Sequence, residues 1–139
     1  MSTSAGYSGT PLATKLGIKP GSRLTVISAP RHFGDLLAPI PDGVRIARRL
    51  GRDADVIVAF HTSRAVLEGR FDRLRAAMHD AAGLWIAWPK RASGVATDIT
   101  EDVVRDIALA KGLVDSKVCA IDETWSGLRI VVRVADRGR

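Results

Sequence analysis

The sequence predicts a three-layer α/β domain, with a mostly parallel sheet of about six strands, helices on both faces and a C-terminal antiparallel hairpin. Two patterns predict it. Asp55-Val56-Ile57-Val58-Ala59-Phe60 and Leu84-Trp85-Ile86-Ala87-Trp88 are continuously apolar or nearly so, as strands covered on both faces of a parallel sheet must be. The last run differs: Leu128, Ile130, Val132 and Val134 share one face, the alternation of an antiparallel strand near an edge.

The elements follow in order. Residues 1–9 are small and polar and form an expected flexible arm, leaving 10–139 as one domain. Thr10-Pro11 opens a short helix that Gly17 ends. Arg23 to Ser28 is the first strand, His32 to Ala38 a short helix stopped by prolines, and Val44 to Arg48 a weak strand. After the apolar strand 55–60, Ser63 caps a helix whose apolar face is Leu67, Phe71, Leu74, Met78 and Ala81, with Gly83 as its stop. Leu84 to Trp88 is the next strand, halted by Pro89. Asp98 or Thr100 caps a helix to Ala110, and Gly112 stops it. Two strands, 114–121 and 128–134, close the chain around a hairpin loop, 122–127.

Composition narrows the class. The 139 residues are 46% apolar and 26% charged, which is ordinary for a globular domain. The one cysteine, Cys119, has no partner for a disulfide and is expected as a buried thiol in a cytoplasmic protein. The small, polar first residues are not expected to form a signal peptide, and no apolar run reaches membrane length. The net charge of +6 favours anionic partners only in a general way. His32, His61 and His79 lack metal-ligand spacing, so no metal is expected. A Gly-x-Ser-x-Gly elbow and a phosphate-binding P-loop are both missing.

The order of elements resembles a shortened class I methyltransferase, a Rossmann-like fold. Gly17-Ile18-Lys19-Pro20-Gly21 is similar to the lead-in to that fold's first strand, Ala54 to Val58 to its fourth and Gly83 to Trp88 to its fifth. Over nearly its whole length the chain also resembles a bacterial family catalogued as domain of unknown function 3052. That likeness rests on Tyr7-Ser8-Gly9-Thr10-Pro11-Leu12, on the stretch from Trp88 to Val104, and on the stretch from Gly112 to Leu128. It implies a fold and no established activity.

The methyltransferase resemblance implies a glycine-rich turn after the first strand and an acid after the second, to hold S-adenosylmethionine. This chain has Ser28-Ala29-Pro30 at the first place and Arg48, Arg49 and Arg52 at or after the second. Proline removes a backbone donor, and arginine cannot accept from a ribose hydroxyl. No cofactor is therefore expected, and enzymatic activity is not favoured.

Ligands of open α/β sheets bind beyond the carboxyl ends of the strands, where strand order reverses. The first strand and the 55–60 strand are expected to flank that point. The candidate ligand residues at these ends are Ser28 and Arg31; His61, Thr62, Ser63 and Arg64; and Trp88, Lys90, Ser93, Gly94, Thr97 and Asp98. Lys90 and Arg64 would neutralise an anion at a helix N-terminus, and Trp88 would stack on it. The same residues also suit simpler duties, Ser63 and Asp98 as caps and Trp88 as core. Trp125, in the expected hairpin loop, is the candidate anchor for a protein partner, or else a cover for the sheet.

The expected function is therefore non-catalytic binding of an anionic small molecule at the carboxyl edge. The alternatives are a protein-interaction or regulatory module, methyl transfer from S-adenosylmethionine, and nucleic-acid binding through the scattered arginines. Nucleic acid is not favoured, because no recognition helix or stacking platform accompanies the charge. No membrane partner is expected.

Overall fold

The computed structural model describes residues 9–138, so the expected arm over 1–9 lies almost wholly outside the described residues. The chain runs α1 (Leu12–Lys15), β1 (Arg23–Ile27), α2 (Phe33–Leu37), β2 (Arg45–Ala47), β3 (Ala54–Phe60), α3 (Arg64–Ala77), β4 (Met78–Pro89), α4 (Glu101–Ala110), β5 (Leu113–Ala120) and β6 (Trp125–Val132). The six strands form one sheet in the order β2-β1-β3-β4-β6-β5. Strands β2, β1, β3 and β4 are parallel; β6 lies antiparallel between β4 and β5. The predicted fold class is the observed one.

Alternation along the strands divides the apolar residues between two cores. Ile57, Ala59, Leu84, Ile86, Leu128 and Ile130 face α3 and α4 (Leu67, Phe71, Leu74, Val104 and Ile107). Val56, Val58, Phe60, Trp85 and Ala87 face α1 and α2 (Ala13, Leu16, Phe33 and Leu37). Both faces of β3 and β4 are thus covered, which is why those two strands are so continuously apolar. Trp85 also donates its indole N–H to the Leu16 carbonyl at 2.9 Å, fastening the end of α1 to the sheet. Cys119 is buried, and desolvation pushes its thiol pKa up, away from thiolate chemistry.

Three boundaries differ from the sequence expectation. Helix α3 ends at Ala77, not at Gly83, and Met78 already pairs with Ala54 across the sheet. Side chains hold the changeover: Arg75 reaches the Met78 carbonyl at 3.3 Å and Asp80 at 3.0 Å, and His79 reaches Asp55 at 2.7 Å. The helical period through Met78 and Ala81 is overridden by these tertiary contacts. The hairpin loop is shorter than 122–127, because Asp122 Oδ1 accepts from the amides of Thr124 and Trp125, closing the turn early. Strand β6 therefore starts at Trp125 and ends before Val134, which is 77% exposed.

Candidate functional site

Strand β2 lies on one side of β1, and β3 and β4 lie on the other, so strand order reverses between β1 and β3 as expected. The chain leaves β1 through Ser28, whose φ of 57° is in the left-handed region. A non-glycine residue there costs about 1–2 kcal/mol. The turn thus has the backbone shape that glycine normally supplies, although its residue is serine. The Ser28 hydroxyl is exposed and makes no hydrogen bond among the described residues.

The chain leaves β3 through His61, only 3% exposed and fixed by its amide to the Ala87 carbonyl at 2.9 Å. Its Nε2 lies 3.0 Å from Arg70 Nη1. A guanidinium only donates, so Nε2 accepts and the imidazole proton sits on Nδ1. That Nδ1–H is buried without a well-formed hydrogen bond; the Ala59 carbonyl gives it weak support at most. Desolvation first, then the Arg70 charge, lowers the His61 pKa to about 4. The ring is neutral at physiological pH.

Ser28, Phe60, His61, Thr62, Ser63, Arg70 and Trp125 are among the residues that line a cleft of about 280 Å³ at this edge. Trp125 is half-buried and packs edge-to-face on Phe60, at 5.1 Å between centroids. Phe60 packs in turn on Phe33 at 5.0 Å. Trp125, expected as a partner anchor in a loop, is therefore placed as a wall of the cleft.

The other expected ligand residues do not line this cleft. Asp98 Oδ1 accepts from the Arg64 amide at 2.7 Å, so it caps α3, while Thr100 caps α4 by accepting from the Val103 amide. Ser63 also caps α3, accepting from the Val66 amide. The Arg64 side chain pairs with Glu68 at 3.2 Å. Thr97 Oγ1 donates to the Thr62 carbonyl at 2.7 Å. Lys90 Nζ donates to the Asp122 carbonyl at 2.8 Å, and Ser93 Oγ to the Lys90 carbonyl at 2.7 Å. Gly94 supplies a left-handed turn with φ 79°. Trp88 is buried in the core at 6% exposure, and Arg31 is exposed. These groups stitch the loops of the carboxyl edge together.

Two contributors lay outside the sequence reading. Arg70 reaches the cleft two helical turns beyond the strand end, and no local motif marks it. His32 ties the loop after β1 to the hairpin through Asp122, at 2.8 Å. Burial opposes ionisation of Asp122, but hydrogen bonds from His32, Trp125 and Thr124 outweigh it and hold the carboxyl below its ordinary pKa.

No family model matches the chain, and no curated protein matches it. The likeness to the uncharacterised bacterial family thus rests on sequence segments alone. Solved structures do match. A SAM-dependent methyltransferase from Aquifex aeolicus superposes with a TM-score of 0.62 at 12% identity, over 87% of this chain and 88% of that one. A putative type 11 methyltransferase from Sulfolobus solfataricus gives 0.61 at 9% identity, over 92% and 93%. The magnesium protoporphyrin IX methyltransferase of Synechocystis PCC 6803 with bound SAH gives 0.57 at 12% identity, over 86% and 78%. The fold is that of the class I methyltransferases. These likenesses correct the expectation of a non-catalytic binding domain, since most of the solved neighbours are named as methyltransferases and several structures hold SAM or SAH. Among the described residues, no helix is long and apolar enough to cross a membrane.

Proposed function

We propose that the chain is an S-adenosylmethionine-dependent methyltransferase whose donor site is the cleft between Ser28 and His61. One observation carries this reading: a glycine-like turn at Ser28 and the buried His61, whose Nδ1–H lacks a well-formed hydrogen bond, line one cleft at the point where strand order reverses. Buried polar groups are rarely left without a partner, and an exception at a cleft points to a ligand.

The residues present fit the adenosyl donor by a different donor set from the usual one. Arg48 follows β2 where the fold's acid would stand, so the ribose hydroxyls fall to the Ser28 and Thr62 hydroxyls. Trp125, half-buried on Phe60, offers an aromatic surface to the adenine or to a sulfonium cation. Bound S-adenosylmethionine supplies an electrophilic methyl group, and the chain's part is to orient it and exclude water. With its Nε2 committed to Arg70, His61 acts as a hydrogen-bond donor and not as a general base.

Isothermal titration with S-adenosylhomocysteine tests the reading. Saturable one-to-one binding is expected, at least about tenfold weaker in Trp125→Ala. Absence of binding at millimolar ligand overturns it.

A further inference from the structure

The opposite, amino edge of the sheet holds a larger cavity, of about 530 Å³, on the face that carries α1. Its lining brings together Lys19, Lys117 and Arg129 with one carboxylate, Asp55. That carboxylate is already engaged: Oδ2 accepts from the Arg23 amide at 2.8 Å and Oδ1 from His79 Nε2 at 2.7 Å. His79 Nδ1 accepts from the Ala81 amide at 3.0 Å. Among the described residues none of the three cations has an acidic partner within ion-pair distance.

Arg129 is the centre of the arrangement. It is half-buried, and among the described residues its guanidinium makes one hydrogen bond, to Ser116 Oγ at 3.1 Å, for a group with five donors. Burial, and then the charge of Arg137, depress its pKa. Its guanidinium lies across the backbone of β4 at Gly83, where a Cβ would stand 2.7 Å from Nε, so the glycine makes its room. Lys117 sits directly opposite Arg129 in the β5–β6 ladder. Like charges at such a position are destabilising. A bulge between Asp115 and Lys117 creates this pairing, since regular register from Asp115 opposite Ile130 would set Ser116 against Arg129. Asp115 is meanwhile spent on Arg105 at 3.2 Å. The fold therefore builds and glycine-fits a pair of facing cations that, among the described residues, have no acidic partner within ion-pair distance.

We propose that this cavity binds a phosphate-bearing small molecule, with its phosphate seated between Lys117 and Arg129. A phosphate accepts the unfilled donors of the guanidinium in bidentate fashion, and relieves the repulsion across the ladder. The volume suits a diphosphate or mononucleotide more than a single ion. The site is independent of the methyl-donor cleft, which lies at the other edge.

Titration of the full chain with inorganic pyrophosphate at physiological salt is the test, with malonate as a carboxylate control. Saturable one-to-one binding of pyrophosphate is expected, at least about tenfold weaker in Arg129→Gln and in Lys117→Gln. Arg73→Gln removes one exposed charge on α3 and is expected to leave affinity unchanged. Equal losses in all three variants would show general charge attraction and overturn the site. Malonate binding as tight as pyrophosphate would overturn the phosphate assignment, and absence of saturable binding would overturn both. Thermal melts establish that the variants fold; Arg129→Gln is expected to melt no lower than the parent, because it removes a desolvated, repelled charge. S-adenosylhomocysteine affinity in the same variants stays unchanged, so failure here is distinct from failure of the donor site.

Discussion

His61 concentrates the tension of the carboxyl edge in one side chain. It is buried and neutral, and one of its nitrogens has no good partner. Its folded pKa of about 4 lies below the 6.5 of the exposed group, so the unfolded chain binds the extra proton first. Stability from this residue is therefore complete above pH 6.5 and is lost as pH falls toward 4. The loss is on the order of 3 kcal/mol over that window. Urea unfolding at pH 7, 5.5 and 4.5 checks it: the slope is expected to flatten in His61→Gln, which does not titrate. Ser28 presents the opposite case, with strain in the backbone and a free hydroxyl. Ser28→Gly is expected to raise stability by up to about 1 kcal/mol, and Ser28→Val to lower it by more than that, because a β-branched residue tolerates the left-handed region least. Both variants lose the hydroxyl and are expected to bind S-adenosylhomocysteine more weakly, by titration. The sequence made Ser28, His61, Thr62 and Ser63 legible as strand-end residues. It hid the turn at Ser28, since its φ is imposed by the chain on either side, and a missing glycine suggested a missing grip.

Among the elements, the junction of α3 and β4 shows where periodicity stops being informative. Met78 continues the apolar face of the helix and Gly83 looks like its terminator, yet residues 78–83 belong to the strand. Gly83 is a glycine for a reason contributed by another strand: Arg129 occupies the space a Cβ would need. Gly83→Ala is expected to destabilise by about 1–3 kcal/mol, the usual range for overpacking. The double variant Gly83→Ala/Arg129→Ala is expected to lose less than the sum of the two single changes, by chemical denaturation. Additive losses would mean that Gly83 serves its backbone conformation instead. The capping of α3 is a similar case. Ser63 is visible as its cap from local sequence, but Asp98, which bonds the Arg64 amide from 34 residues away, looks locally like the start of α4.

For the molecule as a whole, the alternation of strands and helices, the C-terminal hairpin and the reversal between β1 and β3 follow from the order of apolar runs, and all are legible before any coordinates. The amino-edge cavity is not, because Lys19, Asp55, Gly83, Lys117 and Arg129 come from five separate segments and form no motif. A mostly parallel sheet has two chemically different edges, and this chain equips both: a cleft with aromatic walls at the carboxyl edge and a cationic cavity at the amino edge. The central strands β3 and β4 between them are covered on both faces, with Ile57, Val58, Leu84, Trp85 and Ile86 fully buried. The two sites share no lining residue. The two occupancies are therefore expected to stabilise the fold additively. S-adenosylhomocysteine at 100 times its dissociation constant adds about 2.7 kcal/mol, pyrophosphate at the same multiple adds about 2.7, and the two together add about 5.4. Denaturant titrations with each ligand alone and with both decide the matter. A combined gain no larger than either alone would place both ligands in one site, and a gain well above the sum would show that the sheet transmits occupancy from edge to edge.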